Sequence, residues 1–349
     1  ENPFHYRNKV HAVLAVDKSG MPVSGVYEAG THRVVPVKHC RIEDEQADKI
    51  IQSIVELLPR FRLRVYNEYT HRGFLRHIVV RTGQFTGQVM VVLVATGLEF
   101  PGRKEFVAAL RALHPEITTL VLNENNRQTS MVLGKRETVL FGDGYLEDEL
   151  CGKRFRISPQ SFYQVNAQQA QVLYETALEK MGLTGRETLL DAYCGTGTIG
   201  LCASDKAARL IGVELNAEAV RDARINAERN HVRNAAFYCD DAGRFMTRMA
   251  KEGHAPDVVC MDPPRSGSDM SFLTALKTLA PNRIVYVSCG PETLARDLHV
   301  LCDDGAYRVD SMVPVDMFPC TEHVETVVLL SHKKPDGHIN VKVEFGEGE

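Results

Sequence analysis

The sequence predicts an α/β protein in which a doubly wound, seven-stranded sheet follows a smaller α+β domain. Three observations carry that expectation. A chain of 349 residues exceeds what one ordinary core holds, so two domains is the natural division. From Asn166 onward, short apolar runs alternate with helix-length segments, the pattern of strands joined by crossover helices. One run empties into a glycine loop that opens a helix, Gly195-Thr196-Gly197-Thr198-Ile199-Gly200.

Residues 1–157 form the expected first domain. Val10, Ala12, Leu14 and Val16 keep period two before turns at Gly20 and Gly25. Residues 43–58 place Ile50, Ile51, Ile54, Val55 and Leu58 on one helical stripe, with acids in the first turn. Arg76–Arg81 and Gln88–Ala95 read as a hairpin pair, Arg103–Leu113 as a helix and Thr118–Leu122 as a strand. Gly142-Asp143-Gly144 marks a turn between extended runs in 135–157. The second domain, 158–332, starts its first helix at Asn166, with Gln169 as capping partner and Gly182 as the stop. Strands follow near 188–193, 209–214, 235–239, 257–262, 283–288, 308–315 and 324–331. Residues 333–349 read as a polar tail.

Composition narrows the class. A hydrophobic share of 44% and a charged share of 25% describe a soluble globular protein. No apolar run approaches the ~20 residues of a membrane span. Nine scattered cysteines without a C-x-x-C pair predict reduced thiols, a cytoplasmic location and no complete metal site. The net charge of −4 is unevenly spread. Residues 1–160 carry 22 Lys and Arg against 18 Asp and Glu, the remainder 19 against 27, so the first half is the better footprint for a polyanion. Its densest basic stretch holds Arg60, Arg62, Arg64, Arg72 and Arg76, with Tyr66, Tyr69 and Phe74 interleaved. That pattern fits a stacking surface for nucleic acid or a solvated face of a strand pair.

Four segments carry chemistry. The glycine loop follows Asp191 and Tyr193, and Glu214 ends the next strand, where a ribose-binding acid belongs. A carboxylate at Asp191 sits poorly beside a pyrophosphate but suits a cofactor bearing an ammonium and a sulfonium. Asp241, after the third strand, can accept from an adenine amino group. Asp262-Pro263-Pro264-Arg265 ends the fourth strand, and its prolines keep the backbone extended toward a flat base. Ser288-Cys289-Gly290-Pro291 places a thiol between a strand and a helix, and Glu325 opens the last apolar run. In a parallel sheet both ends can face one cleft, giving a nucleophile and a base. The bland alternative for Cys289 is a buried strand-end cysteine. A thiol with an ordinary pKa of ~8.5 needs activation, from the following helix N-terminus or a nearby cation.

Together Asp191–Leu201, Asp262–Gly267, Ser288–Leu298 and Phe318–Glu325 resemble the four motifs of the RNA uracil-C5 methyltransferases. Ser158–Asn166 resembles that family's approach to its catalytic domain, and the wording around Tyr193–Gly200 and Gly25–Ile42 is most like the 23S ribosomal-RNA branch of Gram-positive bacteria. The resemblance implies a Rossmann-like methyltransferase domain using S-adenosylmethionine, with RNA as partner, ribosomal ahead of transfer RNA. It implies that Cys289 adds to C6 of uracil, Glu325 removes the C5 proton and Asp262 bonds the uracil edge. Gln164, Asp191, Tyr193, Gly195, Gly197, Glu214 and Asp241 become the cofactor residues. Many ribosomal-RNA members begin with an RNA-binding barrel and an iron–sulfur cluster. Cys40 corresponds to the fourth cluster ligand, so the sequence is expected to be part of a longer chain, and no metal is assigned. A dinucleotide oxidoreductase and a non-catalytic RNA chaperone are the competing expectations.

Overall fold

The structure is a computed structural model that describes residues 3–128 and 131–333. The first half builds one seven-stranded sheet from β1 (Lys9–Val16), β2 (Pro22–Tyr27), β3 (Val34–Pro36), β4 (Leu75–Thr82), β5 (Val89–Ala95), β6 (Ile117–Glu124) and β7 (Arg136–Phe141). Their spatial order is β3-β2-β1-β4-β5-β6-β7. The helices α1 (Glu45–Arg60) and α2 (Arg103–Leu113) lie between β3 and β4 and between β5 and β6 in the chain. Asp44 caps α1 by accepting the N–H groups of Gln46 and Ala47. β4 and β5 form the expected antiparallel pair, whereas β5 and β6 run parallel across α2. Ile50, Ile54 and Leu58 of α1 and Phe106 and Leu110 of α2 bury one face of the sheet. The opposite face, with Val79, Met90, Val92 and Val94, packs into a core shared with the second half. Both β4 and β5 are therefore buried throughout, and β5 reads as a continuous apolar run, whereas β4 also buries Arg76, His77 and Arg81.

A two-stranded ribbon, β8 (Leu146–Leu150) and β9 (Lys153–Ile157), joins the halves. It turns on Cys151 and Gly152, both at positive φ. The helix α3 (Ala167–Met181) starts at Asn166, whose side chain accepts the Gln169 N–H, and stops at left-handed Gly182, as expected. Beyond it come β10 (Thr188–Ala192), α4 (Thr198–Ala203), β11 (Arg209–Glu214), α5 (Ala217–Arg229) and β12 (Ala235–Cys239). The chain continues through α6 (Ala242–Lys251), β13 (Val258–Met261), α7 (Met270–Leu279), β14 (Arg283–Ser288) and α8 (Pro291–Cys302). The strands β15 (Tyr307–Val315) and β16 (Glu325–His332) complete the sheet. All seven expected strands are present, in the order β12-β11-β10-β13-β14-β16-β15. β16 alone runs against its neighbours, inserted between β14 and β15. The chain steps outward from β10 to β12, then returns to β13, so a crevice opens at the carboxyl ends of β10 and β13. No helix of the described residues is long and apolar enough to cross a membrane. The expected tail, 333–349, lies outside the described residues from 334 onward.

Candidate active site

The crevice is built from the turn after β10. Tyr193, Gly195 and Gly197 all have positive φ, at 63°, 54° and 79°, which swings the chain abruptly from strand to helix. A side chain at Gly195 would meet nothing within 4 Å, so this backbone faces open space. At Gly200 a Cβ would lie 2.7 Å from the Asp191 carboxylate, whose Oδ2 accepts the Gly200 N–H at 2.8 Å. Asp191 Oδ1 is buried without a partner. Burial pushes this carboxyl up to about 7 against the Gly200 hydrogen bond, and the Glu214 charge adds to the rise. An orphaned, reluctant anion of this kind suits a cationic ligand head. Glu214 lies across the loop. Its Oε2 accepts the Gly195 N–H at 3.1 Å and its Oε1 the Asn216 N–H at 2.8 Å.

Two adjoining cavities, of about 230 and 40 Å³, meet at Phe162, Gly195 and Thr196. Glu214 lines the larger; Asp191, Tyr193 and Asp262 line the smaller. The expected cofactor residues thus mostly converge, with three exceptions, of which Gly197 faces Phe237 and Ala223 and lines neither cavity. Asp241 caps α6 by accepting the Arg244 N–H at 2.9 Å and lines neither cavity. Gln164 is buried, its carbonyl taken by Asn8 Nδ2 at 3.0 Å, and also lines neither. Phe162 and Tyr174 line the smaller cavity unforeseen from sequence. Phe162, 72% exposed on an approach segment of irregular backbone, carried no periodic signal that would single it out.

The second cluster follows from strand register. β14 and β16 pair Ser288 with Thr326, so Cys289 and Glu325, one step beyond, stand side by side at the same end of the sheet. Asp262 follows Met261, the last residue of β13, which pairs with Tyr286 of β14. Glu325 is buried and Cys289 half-buried. Burial, Glu325 and Asp262 push the Cys289 thiol up, while Arg265 draws it back. The help expected from a nearby cation, here Arg265, is therefore outweighed. Burial also raises Glu325, opposed by Arg265, and burial with the charges of Glu325 and Asp191 lifts Asp262 to about 8. Asp262 is thereby poised to hold a proton near neutrality.

The loop carrying Asp262 and Arg265 is clamped by α8. Buried Asp297 accepts the Tyr286 hydroxyl and the Ser268 N–H, both at 2.8 Å. Arg296 donates to the Ser266 and Ser268 carbonyls, at 3.1 and 2.8 Å. Asp297 is a positioning residue that sequence reasoning missed, because an acid inside a helix reads as a solvated face. Opposite, Asn166 Nδ2 donates to the Met317 carbonyl at 3.1 Å and ties the start of α3 to the segment before Glu325. Among the described residues no group of three or more His, Cys, Asp or Glu could hold a metal ion.

The profile of the tRNA (uracil-5-)-methyltransferase family matches residues 128–333. The chain belongs to this family. Its relatives include a protein of Halalkalibacterium halodurans named an uncharacterized RNA methyltransferase, 42% identical over 331 residues, covering 95% of this chain and 72% of that protein. A Clostridium tetani protein of the same description is 42% identical over 332 residues, with the same coverage. Among solved structures, the Pyrococcus abyssi tRNA (uracil-54, C5)-methyltransferase with S-adenosyl-L-homocysteine superposes with a TM-score of 0.77 at 30% identity, covering 94% of this chain and 76% of that one. For this RNA methyltransferase, the stretch from Arg60 to Arg76 fits a solvated face better than a stacking surface, with Arg60, Arg62, Arg64 and Arg72 exposed. Arg76 is buried, pairs with Glu68 at 2.7 Å and lies over the Tyr66 ring; Tyr66 is itself buried, and Phe74 packs on Phe100. Only Tyr69 of the three rings is open, at 74% exposure.

Proposed function

We propose that the protein methylates C5 of an unpaired or flipped uridine in 23S ribosomal RNA, with 158–332 as catalytic unit and 1–157 contacting the RNA. The reading rests on one observation above all, the side-by-side placement of Cys289 and Glu325 at the end of β14 and β16. S-adenosylmethionine is the methyl donor, and it supplies an electrophilic methyl on a sulfonium. Asp191, Tyr193, Gly195, Gly197 and Glu214 would hold it, with Gln164 and Asp241 completing the set after local adjustment. C5 of uracil is a poor nucleophile. The Cys289 thiolate adds to C6, the 5,6 π electrons move toward the O4 carbonyl, and C5 becomes enolate-like. Asp262, neutral at pH 7, donates a hydrogen bond to the carbonyl where that charge gathers. After C5 has gained its methyl, Glu325 takes the C5 proton, and the electrons left behind expel the Cys289 thiolate and restore the double bond. Base access requires unstacking, which favours loops over duplexes.

The wording around Tyr193–Gly200 supports the ribosomal substrate. The likeness to the Pyrococcus abyssi transfer-RNA enzyme favours a transfer-RNA uridine as second reading. Incubation with S-adenosylmethionine and 5-fluorouridine-substituted ribosomal or transfer RNA discriminates them. Fluorine does not leave as a proton does, so the Cys289–C6 adduct is trapped on the true substrate. The expected result is a denaturant-stable adduct on ribosomal RNA that Cys289→Ala abolishes. An adduct confined to transfer RNA moves the substrate, and unaltered adduct formation in Cys289→Ala removes the nucleophile.

A further inference from the structure

The shared-core face of the first sheet ends in a row of cationic and imidazole groups whose charge no carboxylate of the described residues pairs. β1 and β4 pair Lys9 with Arg81, His11 with Val79 and Val13 with His77. Directly opposed residues of an antiparallel pair share one face. Lys9, His11, His77 and Arg81 therefore project from the same side, away from Val10, Ala12, Ile78 and Val80 in the core that holds α1. Among the described residues no carboxylate forms an ion pair with Lys9 or Arg81.

Arg81 is 4% exposed and His77 6% exposed. Arg81 donates Nη2 to the Ser161 carbonyl at 2.5 Å, but its Nε is buried without a partner. So are Nε2 of His11 and Nδ1 of His77, whose rings sit 4.9 Å apart. Burial, with Arg81 and Arg7 close by, pushes the Lys9 ammonium down to about 8. Unpaired buried charge and orphaned donors destabilise a fold, so such a set makes physical sense where an anion completes it.

The row borders the active-site crevice. Asn8 donates its N–H to the Val165 carbonyl at 2.8 Å and Nδ2 to Gln164, while Arg81 holds Ser161. Ser161 and Phe162 of that same segment line the larger cavity. We propose that Lys9, His11, His77 and Arg81 form a phosphate site that seats one backbone phosphate of the substrate RNA beside the target nucleotide. Lys9 and His11, half-buried, stand at its open front, and Arg81 and His77 stand behind. A guanidinium and an ammonium together give both the planar donors and the point charge that phosphate recognition uses. The proposal rests on RNA being the substrate.

Lys9→Met in the full chain tests it. Binding of a fluorescein-labelled, uridine-containing single-stranded RNA is followed by anisotropy over a salt series. The expected loss is roughly three- to tenfold at moderate salt, with the slope of log K against log salt shallower by about 0.7. Calorimetric affinity for S-adenosylhomocysteine stays unchanged, and the Tm of the free protein holds or rises, because an unbalanced charge has gone. His77→Leu, which removes the ring nitrogens and adds no charge, serves as the second variant and is expected to weaken RNA in the same direction. Unchanged RNA affinity and slope in both variants overturns the site, as does a loss confined to S-adenosylhomocysteine. If wild type shows the steep slope and Lys9→Met relieves it, yet no RNA is methylated, the catalytic reading fails while the phosphate site stands.

Discussion

At the scale of single residues, the catalytic cluster is set by proton affinity as much as by position. On the proposed mechanism Cys289 must ionise to attack, and its surroundings hold the thiol above its ordinary value. The single-turnover rate should therefore rise with pH and keep rising beyond the ordinary thiol pKa of ~8.5. Arg265→Gln removes the cation that opposes the shift and is expected to displace this limb to still higher pH, read by rapid-quench methylation across a pH series. Asp262 makes the complementary test. A neutral Asp262 acts as a hydrogen-bond donor, so Asp262→Asn should keep much of the rate, whereas Asp262→Ala should lose on the order of 10²–10³-fold. Equal losses in both would show that the ionised carboxylate is what matters. The pairing of Cys289 with Glu325 was legible in sequence because each adjoins an apolar strand. The elevation of Asp262 was not, because it comes from burial in the folded sheet and from Glu325 and Asp191 crowding it in space, on strands far apart in the chain.

Elements explain what else could and could not be read. Period and capping residues marked α3 correctly, from Asn166 to Gly182, because those signals are local. The stretch from Arg60 to Arg76 misled, since a run of arginines looks exposed until one turns inward onto Glu68 and Tyr66. The row beside the crevice was equally hidden, because β1 and β4 meet only through tertiary pairing. Within α4, Gly200 illustrates how element packing serves the site. Gly200→Ala forces a methyl against the Asp191 carboxylate and Leu210, so the strand-to-helix turn must open. Affinity for S-adenosylhomocysteine should fall about tenfold or more and Tm by a few degrees, measured by calorimetry and thermal unfolding. Retained affinity with a lowered Tm would separate Asp191 from cofactor binding.

For the molecule as a whole, the raised acids make a prediction about stability. Asp191 is lifted to about 7 and Asp262 to about 8, both above the ~3.9 of an unfolded aspartate. A folded-state pKa above the unfolded one contributes stability that is complete below about pH 4 and is lost as pH climbs through 7 and 8. The ligand-free protein should thus unfold several degrees lower at pH 8.5 than at pH 5, and Asp262→Asn should flatten that dependence. A flat wild-type profile would mean that neither acid is held protonated.

The reversed strand β16 has a further meaning for biosynthesis. Translation delivers β14 and β15 first, yet β16 must slot between them, so Cys289 leaves the ribosome before Glu325. Until that insertion, β14 lacks the neighbour that covers it in the finished sheet, and Cys289 stands without Glu325. On the proposed mechanism, a chain whose β16 has not yet inserted carries the Cys289 thiol without the Glu325 carboxylate beside it, and its competence begins with that insertion.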